Sequence, residues 1–212
     1  MINTLETLEI NEEFNRLASN QQIERTVRAL EANGVHTIVA ETGDGARQYV
    51  MSLIPAGARV YNPPSRTVDQ LGLRAAIESS TSFQSLHSRL HALDRVTQRA
   101  EIRKLVSSPD VVIGSVHAIT EKGEVLIASA SGSQLSSIAS GADKVIWVVG
   151  TQKLVSTLEE GFRRIREYSY PLENIRAQQV YGRPSAINKI LIVKGEIPGR
   201  ITIVLVKRNL GF

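Results

Sequence analysis

The sequence predicts an α/β protein of three layers, α/β/α, with helices on both faces of a mostly parallel central sheet. Three observations predict it. Short, wholly apolar segments such as "KVIWVVG" (144–150) read as strands buried on both faces. They alternate with longer segments of helical period, the pattern of parallel strands joined by crossover helices. The 212 residues, with 42% hydrophobic content, carry no repeat or linker and are enough for a single domain over 1–212.

In chain order, residues 11–33 read as a helix with an apolar stripe of Phe14, Leu17, Ile23, Val27 and Leu30, stopped by Gly34. "VHTIVA" (35–40) is a short strand. A helix from near Asp44 ends at Pro55, and "ARVYN" (58–62) is a second strand, stopped by Pro63 and Pro64. Residues 67–80 and 85–106 read as two helices. "DVVIGSVHAIT" and "EVLIASA" follow as strands joined at "EKG", then a short helix "SQLSSIAS". After strand 144–150, "STLEEGFRRIREYS" (156–169) is a helix with Ser156 as N-cap and Glu159 three residues on, a capping box. "KILIVKG" and "RITIVLVKR" are the last strands. Segments 111–113, 125–128, 144–149 and 201–206 are expected in one central sheet.

Composition narrows the chemistry. Cysteine is absent, which excludes disulfides, thiolate nucleophiles and thiolate-held iron–sulfur clusters on this chain. "MINTLETLEINEEF" has neither the basic nor the apolar region of a secretory signal, and no apolar run reaches the length of a membrane span. A cytoplasmic protein without membrane contact is expected. Net charge is +4, from 25 basic and 21 acidic residues. The basic runs at Arg163, Arg164 and Arg166, and at Arg95, Arg99, Arg103 and Lys104, read as solvated helix faces rather than nucleic-acid contacts.

The stretch "SASGS" (129–133) follows a predicted strand and precedes a predicted helix. Backbone N–H groups and a helix start can hold an anion there. Gly132 permits close backbone approach, and Ser129, Ser131, Ser133 and Gln134 add polar groups. Serine and glycine also suit a plain turn and N-cap. The complete P-loop pattern is absent.

Longer stretches carry a resemblance. "SSPDVVIGSVHAITEKGEVLIASASGSQLSSIASGADKVIWVVGTQKLV", with "RRIREY", "PSAINKILIV" and "PGRITIVLV", resembles the lactate-utilisation (LUD) domain family, on the branch related to lactate-utilisation protein C. The resemblance runs over about residues 10–212 and is densest from 108. It implies a NagB/RpiA/CoA-transferase-like fold and a place in lactate or related small-acid metabolism. Against the "GADAxxxxGDVx" stretch of isomerase-like members, His117 stands where an aspartate is functional, so their chemistry does not transfer directly.

Candidate residues follow. His117 is the candidate catalytic acid–base, since an unperturbed imidazole titrates near neutrality. Ser115, beside it, and Lys189, which belongs to the family-like "SAINKILI", are candidate ligand contacts with Ser129, Ser131, Gly132, Ser133 and Gln134. Lys153, after a buried strand, is a weaker candidate for the same cleft. His87 and His91 share a helix face but lack the glutamate of "HExxH", so no metal is expected, and no cofactor. Trp147 reads as core. The expected ligand is a small anion. Two alternatives stand beside it: an accessory subunit of an iron–sulfur lactate-oxidising system, and an isomerase- or transferase-like enzyme on a phosphorylated or CoA-linked substrate. Self-association as a homo-oligomer is compatible with all three.

Overall fold

A computed structural model describes residues 9–94 and 96–212. The N-terminal signal reading (in its residues 1–8) and the reading of Arg95 therefore lie outside the described residues. Among the described residues, ten strands form two sheets. Six, β1 (His36–Ala40), β2 (Arg59–Tyr61), β3 (Gln84–Ser85), β4 (Val111–Gly114), β7 (Lys144–Gly150) and β10 (Ile201–Val206), make an all-parallel sheet in the order β1-β10-β7-β4-β2-β3. Four, β5 (Ala118–Thr120), β6 (Val125–Ser129), β8 (Leu154–Val155) and β9 (Lys189–Val193), make a second, mixed sheet in the order β8-β5-β6-β9.

The main sheet is the middle of three layers. Helices α2 (Gly43–Ser52), α3 (Arg66–Gln70) and α4 (Leu73–Ser79) cover one face through Ala46, Val50, Val68, Leu73 and Ile77. Helices α1 (Asn20–Ala32), α5 (Leu86–Ala92) and α6 (Arg99–Ser107) cover the other, together with the inner face of the second sheet. Strand β10 shows why its run is continuously apolar: Ile201, Ile203 and Leu205 point into one core, Val204 and Val206 into the other. Strand β6 repeats this with Val125 and Ile127 inward, and Leu126 and Ala128 outward against Ile165. The outer residue comes from the helical run that starts as α7 (Leu158–Arg164) and continues to α8 (Tyr170–Tyr181).

Several sequence expectations are corrected. Segment 125–128 is a strand, but of the second sheet, whereas 111–113, 144–149 and 201–206 share the main one. The helix expected over 11–33 is a short 3₁₀ turn at Glu12–Asn15 and a separate α1, whose N-cap Ser19 accepts from Gln22 N. The helix over 67–80 breaks at Gly72, which takes φ +64°. The helix over 85–106 splits because the Asp94 carboxylate accepts from Val96 N, Thr97 N and Thr97 Oγ1, which competes with helix continuation. The cap of α7 is Thr157, not Ser156: Thr157 Oγ1 accepts from Glu160 N, and the Glu160 carboxylate reaches back to Ser156 N at 2.6 Å. The helix expected to stop near 169 instead passes through a π turn at Ile165–Ser169 into α8, whose first turn holds Pro171. The widened turn accommodates a residue without an amide hydrogen.

Candidate functional site

Two neighbouring strands of the main sheet leave it at the same place. Strands β4 and β7 are paired up to Gly114 and Trp147. The chain beyond each crosses to the second sheet, where β5 and β8 pair again as Ile119 with Leu154. Residues 115–117 and 151–153 are therefore adjacent crossing segments at the carboxyl edge of a parallel sheet, where α/β proteins commonly bind ligands. A backbone passing between sheets loses ladder partners, so its buried carbonyls need other donors.

Lys153 and Arg164 supply those donors. Lys153 is 2% exposed, and its Nζ lies 3.1 Å from Val116 O, 3.2 Å from Ser115 Oγ and 3.2 Å from Thr67 Oγ1. Arg164 is 0% exposed. Its Nε donates to Gln152 O and its Nη1 to His117 O and Ser169 Oγ, while its plane lies 5.2 Å from the Tyr168 ring. Among the described residues no carboxylate pairs with either cation. Burial, then the positive charge of Arg164, push the Lys153 amine well below its ordinary pKa. Burial pulls Arg164 down to about 10, which leaves it charged at neutral pH. An unpaired buried guanidinium is costly.

His117 belongs to the same cluster. Its Nδ1 accepts from Ala128 N at 3.1 Å, which places the ring proton of the neutral form on Nε2. Burial first, then Lys153 and Arg164, lower its pKa to about 3. The unliganded ring is thus a neutral hydrogen-bond donor at physiological pH, not the near-neutral titrating group expected from its ordinary pKa.

Polar atoms without a partner collect along this edge. They are Arg164 Nη2, both amide atoms of Asn62 at the end of β2, Thr151 Oγ1 and Gln152 Oε1. The C-terminal residues roof the cluster. Leu210 O accepts from Thr67 Oγ1 and Gln152 Nε2, and Gly211 N donates to Gln70 Oε1. A Cβ on Gly211 would stand 2.4 Å from Thr67 Oγ1 and 3.4 Å from Lys153 Nζ, so only glycine fits. Ser115 and His117 are the partly exposed members.

The "SASGS" loop lies next door, since Ala128, bonded to His117, immediately precedes it. Two of its amides are already committed: Gly132 N to Ser129 Oγ at 2.9 Å and Ser133 N to Ser131 Oγ at 3.2 Å. Gln134 Oε1 takes the Ser129 hydroxyl at 3.1 Å. Gly132 has φ +79°, and the group closely approaching it is the stem of Lys189, 2.6 Å from where a Cβ would be. The loop is a self-bonded turn that carries Lys189, with its backbone register to Ser129, at its side. The structure brings Ser115 and His117 together with Lys153, and leaves Ser129, Ser131, Gly132, Ser133, Gln134 and Lys189 as a separate, adjacent group.

Arg164 is the residue that sequence reasoning misplaced. "FRRIRE" reads as one solvated run, yet only Arg163 and Arg166 are exposed, Arg163 pairing with Glu167 at 2.9 Å. Trp147 is core, as expected, at 0% exposed. His87 is held by Glu78 at 2.8 Å and tilts against His91. Two open depressions are lined by residues other than those of the cluster. One of about 420 Å³ is at the opposite, amino edge of the main sheet, and one of about 740 Å³ is lined by Glu9–Glu13, Arg16 and Glu167.

A six-stranded parallel sheet with helices on both faces makes this a three-layer α/β/α protein. A family model described as the LUD domain matches residues 23–206, and the chain belongs to that family. Among solved structures it is similar to a DUF162 family protein from Deinococcus radiodurans, at 13% identity over 90% of this chain and 99% of that one, with a TM-score of 0.54. That likeness concerns the fold. A second, eIF2B beta from Chaetomium thermophilum, matches at 19% identity over 54% of this chain and 43% of that one, with a TM-score of 0.35, too low to carry an argument. No curated protein matches the chain. Iron–sulfur chemistry, which lactate-utilisation systems bring to mind, does not fit this chain's donor set, because it has no cysteine.

Proposed function

We propose that this LUD-domain protein binds a small organic anion at the carboxyl edge of the main sheet, as part of lactate or related small-acid metabolism in the cytoplasm. The observation that carries the reading is Arg164: fully buried, charged, without a carboxylate, and with Nη2 unpartnered. A guanidinium matches a carboxylate fork in geometry and charge. The His117 Nε2–H and the Ser115 hydroxyl form the partly exposed rim, and Asn62 adds a buried amide without a partner. The finer kinship, with lactate-utilisation protein C and the NagB/RpiA/CoA-transferase-like fold, belongs to this proposal and is supported by the sequence resemblance that is densest from residue 108 and by the family match over residues 23–206. With no cysteine of its own, the chain leaves any cluster-borne electron transfer to a cysteine-rich partner.

A melting-temperature screen of small carboxylates, sugar phosphates and acyl-CoA compounds tests it. A ligand at one hundred times its Kd adds about 2.7 kcal/mol to native stability, roughly 5–10 °C for a chain of this size. Arg164→Lys should melt cooperatively and lose most of the ligand-induced rise. No rise with any anion, or an undiminished rise in Arg164→Lys, overturns the reading.

A further inference from the structure

The three partners of Lys153 differ in the hydrogens they hold. Val116 O has none. The Thr67 hydroxyl gives its hydrogen to Leu210 O at 3.1 Å, so towards Lys153 it can only accept. Ser115 makes no other side-chain bond, and its hydrogen is free. A neutral amine has two N–H groups and one lone pair. In that form its two hydrogens serve Val116 O and Thr67 Oγ1, which leaves its lone pair for the Ser115 hydroxyl at 3.2 Å, the oxygen that accepts from the amine when it is protonated. Burial beside Arg164, with no acid to hold a proton, favours that neutral form.

We propose that Ser115 and Lys153 form a nucleophile–base pair that hydrolyses an ester or thioester of a small organic acid through an acyl-serine. The arrangement is a hydroxyl activated by an adjacent amine, with the amine fixed by two further bonds. The base is buried and the nucleophile is partly exposed, so substrate reaches the hydroxyl while the resting amine is kept from bulk solvent, and the water of the second step takes the place the leaving group vacates. The identity of the acid rests on the anion-binding reading above, because Arg164 would hold its charge.

The chemistry balances without an oxidant or reductant. Ser115 Oγ bonds to the acyl carbon as its proton passes to Lys153 Nζ. The bond from that carbon to the leaving oxygen or sulfur breaks, and Lys153 returns the proton to the leaving atom. Water, deprotonated by the same amine, then attacks the acyl-serine, releasing the acid and restoring the hydroxyl. Donors free to hold the transient oxyanion are the His117 Nε2–H, from the same crossing segment, and Asn62 Nδ2, from the end of the neighbouring strand.

A fluorophosphonate probe reads the nucleophile directly, since phosphonylation of an activated serine expels fluoride. The full chain should take one adduct, mapped by mass spectrometry to Ser115 and absent from Ser115→Ala. Lys153→Met should slow labelling by roughly two orders of magnitude or more. A second measurement covers the case in which that variant does not fold. The chain has no cysteine, so Ser115→Cys carries a single thiol whose alkylation by iodoacetamide can be followed against pH. The ionisable group against it is Lys153, and Arg164 and His117 are electrostatically coupled to that lysine. The thiolate should form well below the ordinary value of about 8.5, and Lys153→Gln in that background should move it back. A folded wild-type chain that takes no adduct at Ser115, or an introduced thiol that titrates at or above the ordinary value, overturns the proposal. If carboxylates still raise the melting temperature of that chain, acyl transfer fails and anion binding stands.

Discussion

His117 shows how far a site can move a residue from its ordinary chemistry. Its pKa is about 3 in the fold, against about 6.5 in an unfolded chain. Between those values the unfolded state binds more protons than the folded one, so stability rises with pH through the window and is lost as pH falls through it. Carboxylates held down by partners, such as Asp110 by Arg59 and Glu121 by Arg25, lose their contribution mainly below about pH 4.5. The interval from pH 4.5 to 6.5 therefore lies above most of the carboxylate contribution, and the buried Lys153 amine, lowered well below its ordinary value, adds a share of the same sign wherever it is neutral in the fold. His87, also lowered by burial, adds a share of the same sign. Melting temperatures across that interval should climb in the wild type and climb less in His117→Asn; equal slopes would remove the imidazole from the cluster. The sequence made His117, Ser115 and Lys153 visible because they flank apolar strands. It could not show the absence of a carboxylate around them, which depends on what the fold packs nearby.

At the scale of single elements, strands were easier to read than helix ends. Apolar, β-branched segments such as 144–150 and 201–206 have one physical explanation, burial on both faces. Helix limits depend on local competition that hydrophobic period does not record, such as the Asp94 carboxylate capturing three donors from Val96 and Thr97. Arg164 was lost for a related reason. It ends α7, and the π turn that follows changes the helical register, so one arginine of three faces inward. The cap of α7 offers a discriminating measurement. Thr157→Ala removes the bond to Glu160 N and should cost about 0.5–2 kcal/mol, whereas Ser156→Ala, whose hydroxyl makes no capping bond, should stay within about 0.5 kcal/mol. Chemical denaturation of the two variants decides between them, and equal losses would contradict the assignment.

Over the whole molecule, family and layer architecture were readable because they rest on long stretches. The division into two sheets was not. Segment 125–128 is buried on both sides like a central strand, but its neighbours are a second sheet and a helix, and periodicity cannot tell one from the other. That division has a consequence for how the molecule opens. The two crossings, 115–117 and 151–153, tie the smaller sheet to the larger at two adjacent points, with Arg164 bonded to both. Peeling the smaller sheet away would have to strain β4 and β7 at the centre of the larger one. The two should behave as one cooperative unit in native-state hydrogen exchange. Amides of Ile119 and Leu126 should open with the same free energy and denaturant dependence as those of Val148 and Leu205. Earlier opening of the smaller sheet, with a shallow dependence, would contradict this. If the unit holds, the serine and the lysine that face each other across the crossings keep their distance until the chain unfolds altogether. The site is then rigid by topology, and motion that admits a ligand must come from the roof formed by Leu210 and Gly211.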